Sequence, residues 1–90
     1  MNRHDLIVKL AQKYDLSENK INNILSDIFS LIEDEVAAGN RVSFTGFGTF
    51  ERSHRAARDG RNPRTGEALR IPEMIVPRFK AGKTFKDKVK

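Results

Sequence analysis

Arg61-Asn62-Pro63-Arg64-Thr65-Gly66-Glu67 combines turn-forming and cationic chemistry in a way that points outward, to an anionic surface. Pro63 fixes its own φ near the turn value and Gly66 tolerates positive φ, so Asn62-Pro63 and Thr65-Gly66 punctuate a hairpin tip. Arg52, Arg55, Arg58 and Arg61 lead into it, and Arg64 and Arg70 follow, with few large apolar side chains among them. A guanidinium set against a phosphate releases condensed counterions, which gives salt-sensitive affinity without sequence preference. A two-stranded ribbon is slim enough to enter a groove. A rigid apolar ring at its tip can wedge between base pairs while Arg61 and Arg64 hold a narrow, electronegative minor groove. The plain alternative is that Pro63 only makes the turn.

No other constellation in the chain competes. His4 and His54 lack a partner at ligand spacing, so neither a metal site nor a catalytic pair is expected. Glu33-Asp34-Glu35 lies on consecutive helical positions that diverge by about 100° and do not converge on one ion. Gly46-Phe47-Gly48 is no nucleotide fingerprint, because the sequence continues as strand where a dinucleotide site needs a helix. Without P-loop, nucleophile elbow or zinc signature, the expectation is a protein that is not an enzyme and uses no cofactor or metal.

The net charge of +5 conceals a polarity. Residues 1 to 40 carry four Lys/Arg against seven Asp/Glu, a sum of −3, and residues 41 to 90 carry thirteen against five, a sum of +8. The basic half contains the arginine-rich turn, and segregation of this kind suits a polyanionic partner. The absence of cysteine excludes disulfides and thiolate metal sites and fits a reducing compartment. No stretch has the apolar length of a bilayer span, and Met1 to Asp5 lacks the apolar run of a signal peptide, so a soluble intracellular protein is expected, with no membrane partner.

Positioning elements follow from periodicity. Asn2 caps a first helix over Arg3 to Tyr14, with Asp5 completing a capping box. Ser17 caps a second, Leu16 is placed to staple onto Ile21, and Ile21, Ile24, Leu25, Ile28, Phe29, Ile32 and Val36 recur at helical spacing until Gly39. That face is wider than one short helix and a small sheet are expected to cover in a chain of 90 residues, so a second copy is expected to complete the burial, the alternative being a core formed wholly within one chain. Beyond Gly39 the period changes to two: Val42 and Phe44, a turn at Gly46-Phe47-Gly48, then Thr49 to Ser53. Small residues at Ala56-Ala57 mark the base of an arm, and the returning strand from Ala68 to Pro77 contains Pro72 and Pro77, which cannot donate to a ladder and place it at an edge. Gly82 precedes a last helix, Lys83 to Val89, with Phe85 and Val89 inward.

The ordered series Gly46-Phe47-Gly48-Thr49-Phe50, Arg55-Ala56-Ala57-Arg58-Asp59-Gly60, Arg61 to Glu67, Ile71-Pro72, Val76-Pro77 and Phe79-Lys80-Ala81-Gly82-Lys83 resembles the bacterial histone-like HU and integration host factor family over essentially the whole chain. That family is itself a standard instance of minor-groove architectural binding. The resemblance implies an α+β fold: an intertwined homodimer, or a heterodimer with a paralogue, having a helical base (1–39), a β-saddle (40–82) with a two-stranded arm at about 55–74 from each chain, and a C-terminal helix (83–90). It implies a DNA-binding arm of Arg55, Arg58, Arg61, Asn62, Pro63, Arg64 and Thr65, with Pro63 intercalating. Phosphate contacts fall to Arg3, Lys80, Lys83 and Lys86, and the dimer core to Phe47, Phe50, Phe79, Ile28, Phe29 and Ile32.

The implied activity is bending and compaction of double-stranded DNA with little sequence specificity, by a cytoplasmic, nucleoid-associated protein. Ser53 and Asp59 depart from the family's basic pattern, and Glu18 stands where Lys is common. Alternatives are a site-specific bender of the integration host factor type and, more remotely, an RNA-binding structural module. A chain ending at Lys90 without a further extension favours the HU type.

Overall fold

A computed structural model describes all 90 residues. The order is α1 (Arg3–Tyr14), α2 (Glu18–Ala37), β1 (Val42–Phe44), β2 (Gly48–Arg55), β3 (Arg58–Arg61), β4 (Ala68–Ile71), β5 (Met74–Ala81) and α3 (Lys83–Val89). The fold is α+β, and no helix is long and apolar enough to cross a membrane.

The first unit, Met1–Asp34, is a helical hairpin. Asn2 Oδ1 accepts from the Asp5 amide at 2.9 Å and the Asp5 carboxylate accepts from the Asn2 amide at 3.2 Å, the reciprocal capping box expected at α1. Asp15 ends the helix in the left-handed region, at φ 53°, a conformation that acidic and amide side chains tolerate better than most. Ser17 Oγ then accepts from the Lys20 amide and caps α2. Ile7, Ala11 and Ile21 form the small core, with Leu10 and Leu25 packed on it. Leu16 is 39% exposed.

The second unit, Glu35–Lys90, begins on the end of α2. The Gly39 amide donates to the Val36 carbonyl and the Asn40 amide to that of Glu35, a Schellman stop that uses the positive φ of Gly39. β1, β2 and β5 form an antiparallel sheet in the order β1-β2-β5, so Pro77 lies on an edge strand, where a missing N–H is tolerated. Directly paired residues share a face. Val42, Phe44, Gly48, Phe50, Phe79 and Ala81 therefore line one side, and Ser43, Thr49, Glu51, Ser53, Arg55, Arg78 and Lys80 the other.

On the apolar side the rings of Phe47, Phe50, Phe79 and Phe85 form a continuous cluster: Phe79 lies 4.8 Å from Phe50 and 5.3 Å from Phe47, and Phe47 stacks on Phe85 at 5.4 Å. Phe85 turns inward as expected of α3. Val89 does not; it is 73% exposed as the last residue of the helix, correcting the expectation from spacing. Gly48 is buried where a Cβ would fall 2.5 Å from both the Lys80 carbonyl oxygen and the Phe79 ring. Gly48→Ala is expected to destabilise the fold by about 1–3 kcal/mol through that collision. A thermal melt should then fall by at least about 4 °C.

Candidate nucleic-acid interface

The arm is a separate ladder. The sheet's own pairing runs out to Arg55 opposite Met74; Ala56-Ala57 and Pro72-Glu73 interrupt it, and β3 pairs with β4 from Arg58–Ile71 to Arg61–Ala68. Pro72 lies in this break, where its lack of an N–H suits a ladder that stops and restarts. The returning segment expected as one strand is thus two.

At the tip the hydrogen bonds leave little freedom. The Asn62 amide donates to the Glu67 carbonyl at 2.9 Å and the Gly66 amide to the Asn62 carbonyl at 2.7 Å. Asn62 Oδ1 accepts from the Arg64 amide at 2.8 Å, an Asx turn that arches over Pro63. Thr65 Oγ1 accepts from the Glu67 amide at 3.3 Å, and Arg61 Nη1 reaches the Gly66 carbonyl at 3.3 Å. Gly66 stands at φ 73° with open space where a Cβ would be, so the conformation rather than crowding requires glycine. Pro63 is exposed at the first position of this braced loop, where its ring needs no N–H.

The arm has two unlike faces. Arg58, Gly60, Leu69 and Ile71 share one, where Ile71 lies over the bare Cα of Gly60; Asp59, Arg61, Ala68 and Arg70 share the other. Arg70 is paired with Asp59 at 3.0 Å, so the acidic departure noted in the sequence occupies one arm cation. None of Arg55, Arg58, Arg61 and Arg64 forms an ion pair. At the arm's base His54 Nε2 meets Glu73 Oε2 at 3.1 Å, and Arg55, Ala56, Arg58, Ile71, Pro72 and Met74 line a shallow concavity.

The remaining expected cations are differently placed. Lys80 lies on the sheet's polar face opposite Thr49, and its ammonium is 3.2 Å from Glu51 Oε1. Lys83 and Lys86 are exposed on α3. Arg3 is largely committed to its own unit: Nε and Nη2 donate to Asn22 Oδ1 at 3.1 and 3.0 Å, Nη2 also to Ser26 Oγ, and the guanidinium lies over the Phe29 ring. Period-two spacing from Lys80 puts Arg78 on the same face, directly opposite Glu51, and Arg41 joins Glu51 Oε2 at 3.3 Å. Arg41 and Arg78 escape a reading that starts at the turn, although strand alternation alone marks Arg78.

Glu51 has its carboxyl held below its ordinary value of 4.5, first by the Lys80 hydrogen bond, against a counteracting burial effect, and then by the charges of Lys80, Arg41 and Arg78. Such a group adds stability above its unfolded pKa and loses it as pH falls through the lowered folded value. The urea-midpoint difference between wild type and Glu51→Gln is therefore expected to be constant near neutrality and to vanish on acidification below the usual glutamate range.

The sequence profile described as bacterial DNA-binding protein matches residues 1–90. The chain belongs to the HU family of bacterial DNA-binding proteins. It is 47% identical to the DNA-binding protein HU of Clostridium pasteurianum over 89 residues, covering 99% of this chain and 98% of that one. Identity to the Staphylococcus aureus HU is 46% over the full length of both. The HU of an Anabaena HU–DNA cocrystal superposes with a TM-score of 0.90 at 39% identity, covering 99% of this chain and 97% of that one. The Thermotoga maritima HU matches with a TM-score of 0.70 at 31% identity over the whole of both chains. Within the HU family, then, the braced tip and the polar sheet face are the surfaces to which a function must be assigned.

Proposed function

We propose that this chain is a non-catalytic architectural protein that binds duplex DNA with little sequence preference, places its arm in the minor groove and bends the duplex at Pro63. The observation that carries the reading is the tip itself: an exposed proline ring on a hydrogen-bonded loop, at the end of a slim ribbon, flanked by arginines that no carboxylate neutralises. A wedge of this kind unstacks a base step at a cost of a few kcal/mol, offset by the contacts that a bent duplex makes with arm and saddle. Arg55, Arg58, Arg61, Asn62, Arg64 and Thr65 then line the groove, and Lys80, Lys83, Lys86 and the remaining donors of Arg3 take phosphates along the flanks.

The working unit in this reading is a dimer, a homodimer in the first instance, with Ile28, Phe29 and Ile32 in a helical base (1–39) and Phe47, Phe50 and Phe79 under a saddle (40–82). Ile24, Ile28, Phe29, Phe44, Phe47 and Phe79 all remain substantially exposed in the single chain, and no side chain reaches full burial. A partner that covers these faces removes that cost. The protein's place is then with the chromosome, in the bacterial cytoplasm.

Competition among random duplex, nicked duplex, a defined sequence and RNA at several salt concentrations tests the reading. Comparable binding of the random and defined duplexes, with nicked DNA preferred to both, is expected; preference for one sequence would make it a site-specific bender, and preference for RNA would overturn the assignment. In the same assay Lys83→Ala should weaken binding evenly across sequences and reduce the salt slope by about 1.

A further inference from the structure

A carboxylate in the middle of a DNA-facing surface has the wrong sign, and Glu51 occupies that position on the polar sheet face. Its side chain is recessed, 13% exposed, while the cations on it stand out at 75% for Arg41 and 53% for Lys80. Each carboxylate oxygen takes one cation: Oε2 faces Arg41 Nε at 3.3 Å and Oε1 faces Lys80 Nζ at 3.2 Å. Arg78 is the residue directly across the strand pair.

The donors left over decide what this arrangement can do. Both contacts are ion pairs rather than aligned hydrogen bonds, so the ammonium hydrogens of Lys80 and the four N–H groups on the two Nη atoms of Arg41 stay available. Both residues end long stems that rotate freely when unattached, and ordering such side chains on contact weakens binding. A recessed anion that holds each cation by its charge orders them beforehand and leaves their N–H groups for phosphate oxygens. Its own repulsion is limited, since three cations surround it and salt screens beyond about 8 Å.

We infer that Glu51 is a positioning residue for DNA binding, an internal counter-anion that sets Lys80 and Arg41 in the orientation in which they meet phosphates. The inference rests on the reading of the polar sheet face as DNA-facing. It reverses the sign expected from charge alone: removing a negative group from a DNA-binding surface should weaken binding.

Dissociation constants for a random duplex separate the two. Glu51→Gln, which keeps the shape and removes the charge, is expected to bind roughly three- to tenfold more weakly, the loss of order in one or two long side chains. Glu51→Asp keeps the charge but withdraws it, and it should also bind more weakly, whereas pure repulsion would leave it unchanged. In a Lys80→Met background the effect of Glu51→Gln should shrink, which a general structural defect would not produce. Thermal melts establish that the variants are folded at the assay temperature, and Asp serves if Gln is not. Equal or tighter binding by Glu51→Gln, or an undiminished effect in the Lys80→Met background, overturns the positioning role while wild-type binding stands. Failure of the wild type itself to bind duplex DNA would remove the reading on which the role depends.

Discussion

Pro63→Ala is expected to abolish most of the sharp bend that the protein imposes on duplex DNA, while its affinity for already nicked DNA changes little. The tip is held by main-chain bonds of Asn62, Gly66 and Glu67 and by the Asn62 side chain on the Arg64 amide, none of which requires the proline ring. Alanine at the first loop position adopts the same backbone region, so the variant loses the wedge and keeps the hairpin. What should remain is the electrostatic grip proposed for Arg58, Arg61 and Arg64, which would hold the groove without opening a base step. Smoothly bending a site by 40–90° costs of order 1–6 kcal/mol, so a protein without its wedge settles for a shallower curve on intact duplex. A nick already supplies the hinge, and there the ring has less to contribute. Fluorescence transfer between end labels on intact and nicked duplexes measures both effects. Equal bend angles for wild type and variant on the intact duplex would mean that Pro63 is turn punctuation and nothing more.

The sequence already exposes both helix starts, the Gly39 stop and the tip, for a common reason. Asn2 with Asp5, Ser17, and Gly66 are local solutions to local problems: orphan amides and a positive φ that few residues other than glycine adopt. Features that depend on a register are harder to read. One strand became two because Pro72 and Glu73 stand opposite Ala56 and Ala57, and nothing in either segment alone states that pairing. Val89 shares the helical spacing of Phe85, yet α3 ends there and the aromatic cluster has no place for it.

The polar face was half legible. Lys80 is conspicuous in a basic cluster, but the group that organises its surroundings is Glu51, a residue of the opposite sign whose importance comes from pairing across two strands. Arg3 looks like a cation awaiting a phosphate; most of its donors are used on Asn22 and Ser26, neither of which carries a charge that would advertise the contact. Leu31 shows the same effect on the apolar side. It extends the exposed stripe of Ile24 and Ile28 at positions i+7 and i+3, outside the set chosen for the seam.

That stripe carries the second large expectation: Ile28→Glu should dissociate the proposed dimer and lose DNA affinity by a factor of a hundred or more. Ile28 and Phe29 are each 44% exposed and Leu31 66%, an apolar surface that α1 leaves uncovered. A self-complementary seam would place each substitution twice, and an uncompensated charge there costs several kcal/mol per copy. Because folding and association are coupled in such dimers, the wild-type melting temperature should rise with protein concentration, and this dependence should vanish in the variant as its midpoint falls. DNA binding follows the same loss. Two arms on one dimer make the second engagement intramolecular, a gain of about 10²–10⁴ over a single arm, and a monomer forfeits it. Glutamate at Asn23, an exposed position of the same helix, supplies the matching charge without touching the stripe and should leave both assembly and affinity nearly unchanged. Sedimentation across a concentration series, read beside the binding isotherms, decides the matter. A dimeric Ile28→Glu protein with an unaltered midpoint would place the seam on another surface and leave the exposed face of α2 without a partner.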